Sequence, residues 1–320
     1  DVVHLATEGP LGLSALRAAR RRGLAITSSF HTNFDSYSGF YGFPGASRSV
    51  AAYLRWFHNR TDRTLVPNPD LARRLEDIGH RAIETVGRGV DAALFDPARR
   101  SDALRRRWGV ADDALAIGYF GRVAPEKNMA TAMRAIDAAC AAAPGAVGVM
   151  IGDGPLGERL RRRHPTVAHC GMRTGVDLAA HVASLDVVVL PSRTETFGNV
   201  VLEAMASGTA IVAFDAAAVR LHVRDDVDGR TVAMPARRDG AAGGRAADDA
   251  FVAAATALVR DPAAIARIRR AARATACRLS WTRIVDRFAQ ILVSASQMRP
   301  APASDHASRA VARRDLRLLQ

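Results

Sequence analysis

Short apolar runs recur along the chain, each closed by a polar turn and most followed by a stretch whose apolar residues return every three to four positions. Near the start, Val2-Val3-His4-Leu5 reads as a strand, Leu11 to Arg22 as a basic helix, and Leu24 to Ser28 as a second strand that runs into a polar loop. Around Gly87-Arg88-Gly89-Val90-Asp91 and Phe95-Asp96-Pro97 the periodicity stops. It resumes with five apolar runs, Leu115 to Phe120, Val147 to Ile151, Val167 to Cys170, Val187 to Leu190 and Ala210 to Phe214, with helical segments between them. Regular β-α alternation predicts an α/β fold whose parallel sheets are covered on both faces. Helical stretches follow near Asp248 to Val259, Pro262 to Ala276 and Trp281 to Ser296, while the Ala/Gly-rich stretch from Gly240 to Ala247 reads as a flexible loop. The expected division is 1–95, 96–280, a terminal helix 281–297 and a disordered basic tail 298–320.

At 320 residues the length suits two domains, and 48% hydrophobic with 24% charged residues excludes disordered and collagen-like classes. The apolar runs fall far short of the roughly 20 residues of a spanning helix. Forty-five Lys+Arg against 32 Asp+Glu give a net charge of +13, which favours phosphates, nucleic acid or an anionic membrane as partner. Nucleic acid ranks last, since no aromatic-basic interleaving or known motif supports it. Cys140, Cys170 and Cys277 show no ligand spacing, which fits a reduced cytoplasmic setting and no metal. No apolar leader precedes the first strand, so the chain is expected to be a fragment.

In open parallel sheets ligands bind beyond the carboxyl ends of the strands, so the residues after each run carry the candidate chemistry. Behind Phe120 stands Gly121-Arg122-Val123-Ala124-Pro125-Glu126-Lys127-Asn128. A guanidinium and an ammonium on one turn, ahead of a helix whose free N–H groups favour anions, suit a diphosphate; a surface turn with two solvated cations is the alternative. Behind Ile151 comes Gly152-Asp153-Gly154-Pro155-Leu156-Gly157, a literal GxGxxG after a strand. A dinucleotide fingerprint also wants an acid about 20 residues on, where the chain reads Cys170-Gly171-Met172-Arg173. NAD is disfavoured, an NADP-dependent oxidoreductase survives only with Arg173 on the 2′-phosphate, and a glycine-rich turn lining a nucleotide fits better.

Behind Leu190 the chain reads Pro191-Ser192-Arg193-Thr194-Glu195-Thr196-Phe197-Gly198-Asn199-Val200-Val201-Leu202-Glu203-Ala204-Met205-Ala206-Ser207-Gly208. Asn199 to Ser207 is expected to be helical with Gly208 as its cap, which places Glu195 in the loop and Glu203 one turn inside. On a single helix eight residues would separate the two acids by roughly 12 Å, beyond the ~5 to 9.5 Å of hydrolase acid pairs. Two acids spaced along an elongated ligand, one at a sugar and one at ribose hydroxyls with the Phe197 and Gly198 amides between them, suit the pattern better, although Glu203 alone would pass as a solvated helix residue. Asp226-Val227-Asp228 resembles a DxD metal clamp, but Asp228-Gly229 marks a turn.

These segments together resemble family 4 glycosyltransferases of the GT-B type, over Asp1 to about Ser296. Gly121 to Asn128, Ile151 to Leu160 and Pro191 to Ala213 follow the family's order, the two glutamates are its EX7E motif, and Val86 to Pro97 is similar to its interdomain segment. The start of the chain, with Ser28-Ser29-Phe30-His31-Thr32-Asn33-Phe34, resembles the bacterial mannosyltransferase and sulfoquinovosyltransferase-like branch. The resemblance implies two Rossmann-like domains, the first lacking about one βαβ unit. It also implies transfer of a hexose from a GDP- or UDP-linked sugar to a hydroxyl on a lipid or glycan, with retained configuration and no metal or other cofactor. It would place Arg122 and Lys127 on the donor diphosphate, and Glu195, Phe197, Gly198 and Asn199 at the transferred sugar. Glu203 would meet the ribose, and Gly152, Gly154, Met172 and Arg173 the nucleoside. His31 would approach the sugar from the first domain, although a loop histidine also serves structure. Asn33 and Ala216-Ala217-Ala218-Val219 depart from the family pattern, which touches donor or acceptor choice. Basic helices such as Leu11 to Arg22 suit the inner face of an anionic membrane. A truncated, non-catalytic sugar-nucleotide binder is the alternative.

Overall fold

The computed structural model describes residues 1–30, 47–193, 195, 197–235 and 240–298. His31, Asn33 and the basic tail beyond Met298 therefore lie outside the described residues. The chain forms two compact units that divide at Val86/Gly87, with the segment from Val285 onward grouped with the first.

The first unit is a four-stranded parallel sheet of β1 (Val2–Leu5), β2 (Ala25–Ser29), β3 (Arg63–Val66) and β4 (Ile83–Thr85), neighbouring in that order. The crossover helices are Pro10–Arg21, Ser47–His58 and Pro69–Asp77. Pro10 and Pro69 occupy first-turn positions, where a missing N–H costs nothing, and Asn68 accepts the Leu71 amide at 2.8 Å to cap the third helix. Leu5, Leu16, Ala19, Ile26 and Phe57 form one apolar core, and Phe30, Leu54, Val66, Leu71 and Leu75 a second.

The second unit carries β5 (Ala116–Phe120), β6 (Val147–Ile151), β7 (Ala168–Gly171), β8 (Val187–Leu190), β9 (Ala210–Phe214) and β10 (Arg230–Val232). All pair in parallel, in the order β10-β9-β8-β5-β6-β7. Every residue of β5, β8 and β9 is buried, which is why these strands read as unbroken apolar runs rather than alternating ones. The chain winds outward from β5 through β6 and β7, then crosses to β8 and winds the other way. The doubly wound order thus places a topological switch between β5 and β8, where a crevice opens beyond the carboxyl ends.

Two expectations are corrected here. The stretch from Gly240 to Ala247 is the opening of the helix Gly240–Val259, not a flexible loop. It packs against the helix Met129–Ala142, and its Gly244 carbonyl accepts from Arg193 at 2.5 Å, so tertiary contact overrides the weak propensity of its glycines. A sixth strand, β10, is also present; three residues at a sheet edge are too short to leave a periodic signal.

Candidate functional site

The site is built from three strand-to-helix loops of the second unit. The loop after β5 turns through the 3-10 segment Pro125–Lys127, and the Tyr119 hydroxyl donates to the Arg122 carbonyl at 2.8 Å to hold it. Burial, reinforced by Glu195 and Glu126, raises the Tyr119 pKa far above its ordinary value, so this hydroxyl remains a donor at any working pH.

The loop after β6 lies backbone against backbone on the loop after β5. Gly121 donates to the Ile151 carbonyl at 3.0 Å, Val123 to that of Asp153 at 3.0 Å, and Leu156 to that of Val123 at 3.1 Å. A Cβ on Gly152 would stand 2.0 Å from the Gly121 oxygen, and one on Gly154 2.5 Å from that of Val123. The glycines thus serve a loop-to-loop contact, and Gly152, at φ +130°, is also in a conformation that disfavours side chains. Gly152→Ala is expected to destabilise by roughly 3 kcal/mol through overpacking and strain, and to weaken nucleotide binding in step; thermal melts with calorimetry check this.

Behind β8, Phe197 is buried and Gly198, at φ +91°, opens the helix Asn199–Ala206, whose Asn199 is exposed. Glu195 returns towards the first loop, and its Oε1 meets Lys127 Nζ at 2.5 Å. Arg122, largely exposed, pairs with the buried Glu126 at 3.3 Å. Arg122, Gly152, Gly154, Met172, Arg173 and Glu203 line a single cleft of about 650 Å³, with apolar walls from Phe120, Ile151, Leu178 and Val200. Burial pushes the Glu203 carboxyl up to about 7. Arg122 of the expected diphosphate pair, the four expected nucleoside residues and Glu203 are therefore brought to one cleft, while Lys127 and Glu195, which do not line it, pair with each other across the loops after β5 and β8. None of the expected sugar residues Glu195, Phe197, Gly198 and Asn199 lines the cleft, and His31 lies outside the described residues.

Three features went unread in the sequence. Glu126 and Tyr119 brace the cationic loop, and Asp248 accepts from both Asn128 at 2.9 Å and Arg193 at 2.5 Å, tying the loop after β5 to the loop after β8. Arg173 is also less free than an NADP reading requires. Its Nε and Nη2 bond the Cys170 carbonyl at 2.9 and 2.6 Å, and its Nη1 meets Asp177 at 3.2 Å, which leaves no ready fork for a 2′-phosphate. Asp226-Val227-Asp228 is a turn: buried Asp228 accepts from Arg224 at 2.7 and 2.9 Å and from Thr275 at 3.1 Å. Ala217, at φ +49°, holds a backbone conformation that favours glycine.

Comparison with known proteins decides the family. The model for "Glycosyl transferases group 1" matches residues 114–261, and that for "Glycosyltransferase Family 4" matches residues 1–94. The chain belongs to the family 4 glycosyltransferases. It is 39% identical over 221 residues, 69% of this chain and 57% of the relative, to the GDP-mannose-dependent alpha-mannosyltransferase of Mycobacterium tuberculosis. With the enzyme of that name from Mycolicibacterium smegmatis the identity is 38%, over 74% of this chain and 63% of the relative. The sulfoquinovosyl transferase SQD2 of Arabidopsis thaliana is 33% identical, over 72% and 46%. The family 4 chain thus spans about half to two thirds of the curated relatives it matches. In fold it is similar to Anabaena HepE, solved in complex with UDP and glucose, with a TM-score of 0.73 at 21% identity, covering 92% of this chain and 78% of that one. The fold is GT-B, with two parallel α/β sheets.

Proposed function

We propose that the chain carries the donor site of a retaining hexosyltransferase that moves a sugar, best mannose, from a GDP-linked donor to a hydroxyl acceptor. The observation that carries this reading is the single cleft at the sheet's switch point, into which Arg122 and Glu203 both open beside the Lys127–Glu195 pair. Arg122 and Lys127 are placed to take the donor diphosphate, where they stabilise the charge that develops as the nucleoside diphosphate leaves. That is the stage at which stabilisation accelerates reaction rather than merely tightening binding. The same two cations supply the charge that a divalent metal brings elsewhere, so the reading needs no resident cofactor. Glu195, steered by Lys127, is assigned to the hexose, together with the Phe197 and Gly198 amides and Asn199. Glu203 is assigned to the ribose, and Gly152, Gly154, Met172 and Arg173 to the base. The names of the 38–39% identical relatives favour GDP-mannose over a UDP-sugar.

The test is a mass-spectrometric screen of GDP- and UDP-sugars against lipid and glycan acceptors on the complete gene product. Transfer is expected from GDP-mannose and is expected to vanish in Glu195→Gln at unchanged melting temperature; an unchanged rate in that variant refutes the assignment. Donor binding by calorimetry with no turnover of any donor would instead identify a non-catalytic binder.

A lipid acceptor at the cytoplasmic face of a membrane suits the first unit. Leu11 is 82% exposed on the helix that carries Arg17, Arg20 and Arg21, and Trp56 is part-exposed with the Arg60 guanidinium 4.1 Å over its ring. An apolar tip among cations fits an anionic interface. Co-sedimentation with vesicles is expected to rise with anionic lipid and to fall in Leu11→Glu; indifference to lipid charge removes the idea.

A further inference from the structure

The amino-terminal edge of the six-stranded sheet, away from the cleft, gathers positive charge that the proposed reaction does not use. Asp186, just before β8, accepts on Oδ1 from Arg100 at 3.0 Å and Arg269 at 3.1 Å. Its Oδ2 accepts from Arg105 at 2.9 Å and from the Ala116 amide at 2.9 Å. Three guanidiniums therefore share one carboxylate whose two oxygens are both engaged. Arg100 Nη1 is buried with no hydrogen-bond partner among the described residues.

Beside this cluster a cavity of about 420 Å³ opens between Pro97, Gly208 and the helix Pro262–Ala276. Arg269, Arg270 and Arg273 line it, and among the described residues no carboxylate does. Part of this charge serves to close the carboxyl end of the Glu203 helix, since Arg269 Nε donates to the Gly208 carbonyl at 2.7 Å and Arg273 Nη1 to that of Ala206 at 2.7 Å. Arg273 also pairs with Asp96 at 2.5 Å. Helix closure does not account for Arg270, which is exposed and unpaired among the described residues; of the cations around Asp186 only Arg269 lines this cavity, Arg100 and Arg105 lining another with Asp102 and Asp112. Burial, with Arg100 and Arg105 nearby, lowers the Arg269 pKa despite the pull of Asp186.

We infer that this cavity binds a dianionic phosphate group, free or as the monoester of a small metabolite. The second charge of a phosphate answers the cation excess more fully than a carboxylate does, and guanidinium forks match its oxygens in geometry. The volume falls in the range of about 300–1,000 Å³ of small-molecule sites, which leaves room for the organic part of a monoester. Bound there, the anion joins the helix Pro262–Ala276 to the Gly208 end of the helix that carries Glu203.

The experiment is calorimetry on the full chain with inorganic phosphate and, separately, glycerol 3-phosphate, each against chloride at matched ionic strength. Arg270→Ala removes an exposed, unpaired side chain and is expected to fold normally while weakening binding at least about tenfold, the loss of one charge-assisted contact of about 1.4 kcal/mol. Arg122→Ala, which alters the donor cleft, is expected to leave this binding intact. Tighter binding of glycerol 3-phosphate identifies a monoester as occupant, and equal or weaker binding identifies free phosphate. Affinity no greater than for chloride, affinity unchanged in Arg270→Ala, or binding lost in Arg122→Ala overturns the inference.

Discussion

Alanine at position 127 is expected to slow sugar transfer by about 10²–10³-fold at saturating donor, the usual effect of removing one preorganised electrostatic group from a reacting centre. Two consequences of the geometry add up at this residue. On the proposed reading the ammonium lost is one of the two cations that neutralise charge on the departing diphosphate, and Glu195, with its Oε1 2.5 Å from Nζ, loses the contact that aims it. Since both partners are only partly buried, the melting temperature is expected to change little, by no more than about 1 kcal/mol of stability. Lys127→Arg keeps the charge but changes its shape and reach, so partial rescue is expected. Single-turnover rates separate the alternatives: a raised KM at unchanged kcat would mean that Lys127 merely holds the donor.

Glu203→Gln is expected to move stability and binding in opposite directions. With its carboxyl pushed by burial from 4.5 up to about 7, folding favours the protonated form. The stability that this group contributes is fully present below pH 4.5 and is lost as the pH rises through about 7. At about 1.4 kcal/mol per pH unit, the ionised carboxylate costs the donor-free protein up to roughly 3 kcal/mol at pH 8. Glutamine removes that cost, so the variant is expected to melt higher at pH 8 and level with the parent at pH 4. With Glu203 on the ribose as proposed, the hydroxyls bind best to its carboxylate, so donor affinity in the parent is expected to fall as the pH drops below about 7. That pH dependence should disappear in the variant, along with much of the affinity. Melts and calorimetry at several pH values check both halves, and a variant that is less stable at pH 8 contradicts the burial argument.

Much of the second unit could be read from its residues because its central strands are buried on both faces. Val147–Ile151, Val187–Leu190 and Ala210–Phe214 appear in the structure with the bounds that their apolar runs suggest. Arg230–Val232 escaped notice because an edge strand of three residues has no period to detect, and Gly240–Ala247 was misread because its helix depends on partners far away in sequence. The site divides in the same way. Loop chemistry singled out Arg122, Lys127, Glu195 and Glu203, but the meeting of Lys127 with Glu195, 68 positions apart, belongs to the fold. So does the burial of Glu203, which as a lone helical acid would pass for a solvated one. The three arginines on Asp186 were invisible for the same reason, being drawn from positions more than 80 residues away.

The contact of Gly152 and Gly154 with the Gly121–Val123 backbone has a metrical meaning. With no side chain between them, the loop that bears the arginine and lysine is locked against the loop after β6, whose Gly152 amide in turn donates to the Gly171 carbonyl at 2.8 Å, so the three strand ends are joined like the jaws of a set caliper. On the proposed reading, that fixed spacing suits a donor whose sugar and nucleoside are joined through two linked phosphates.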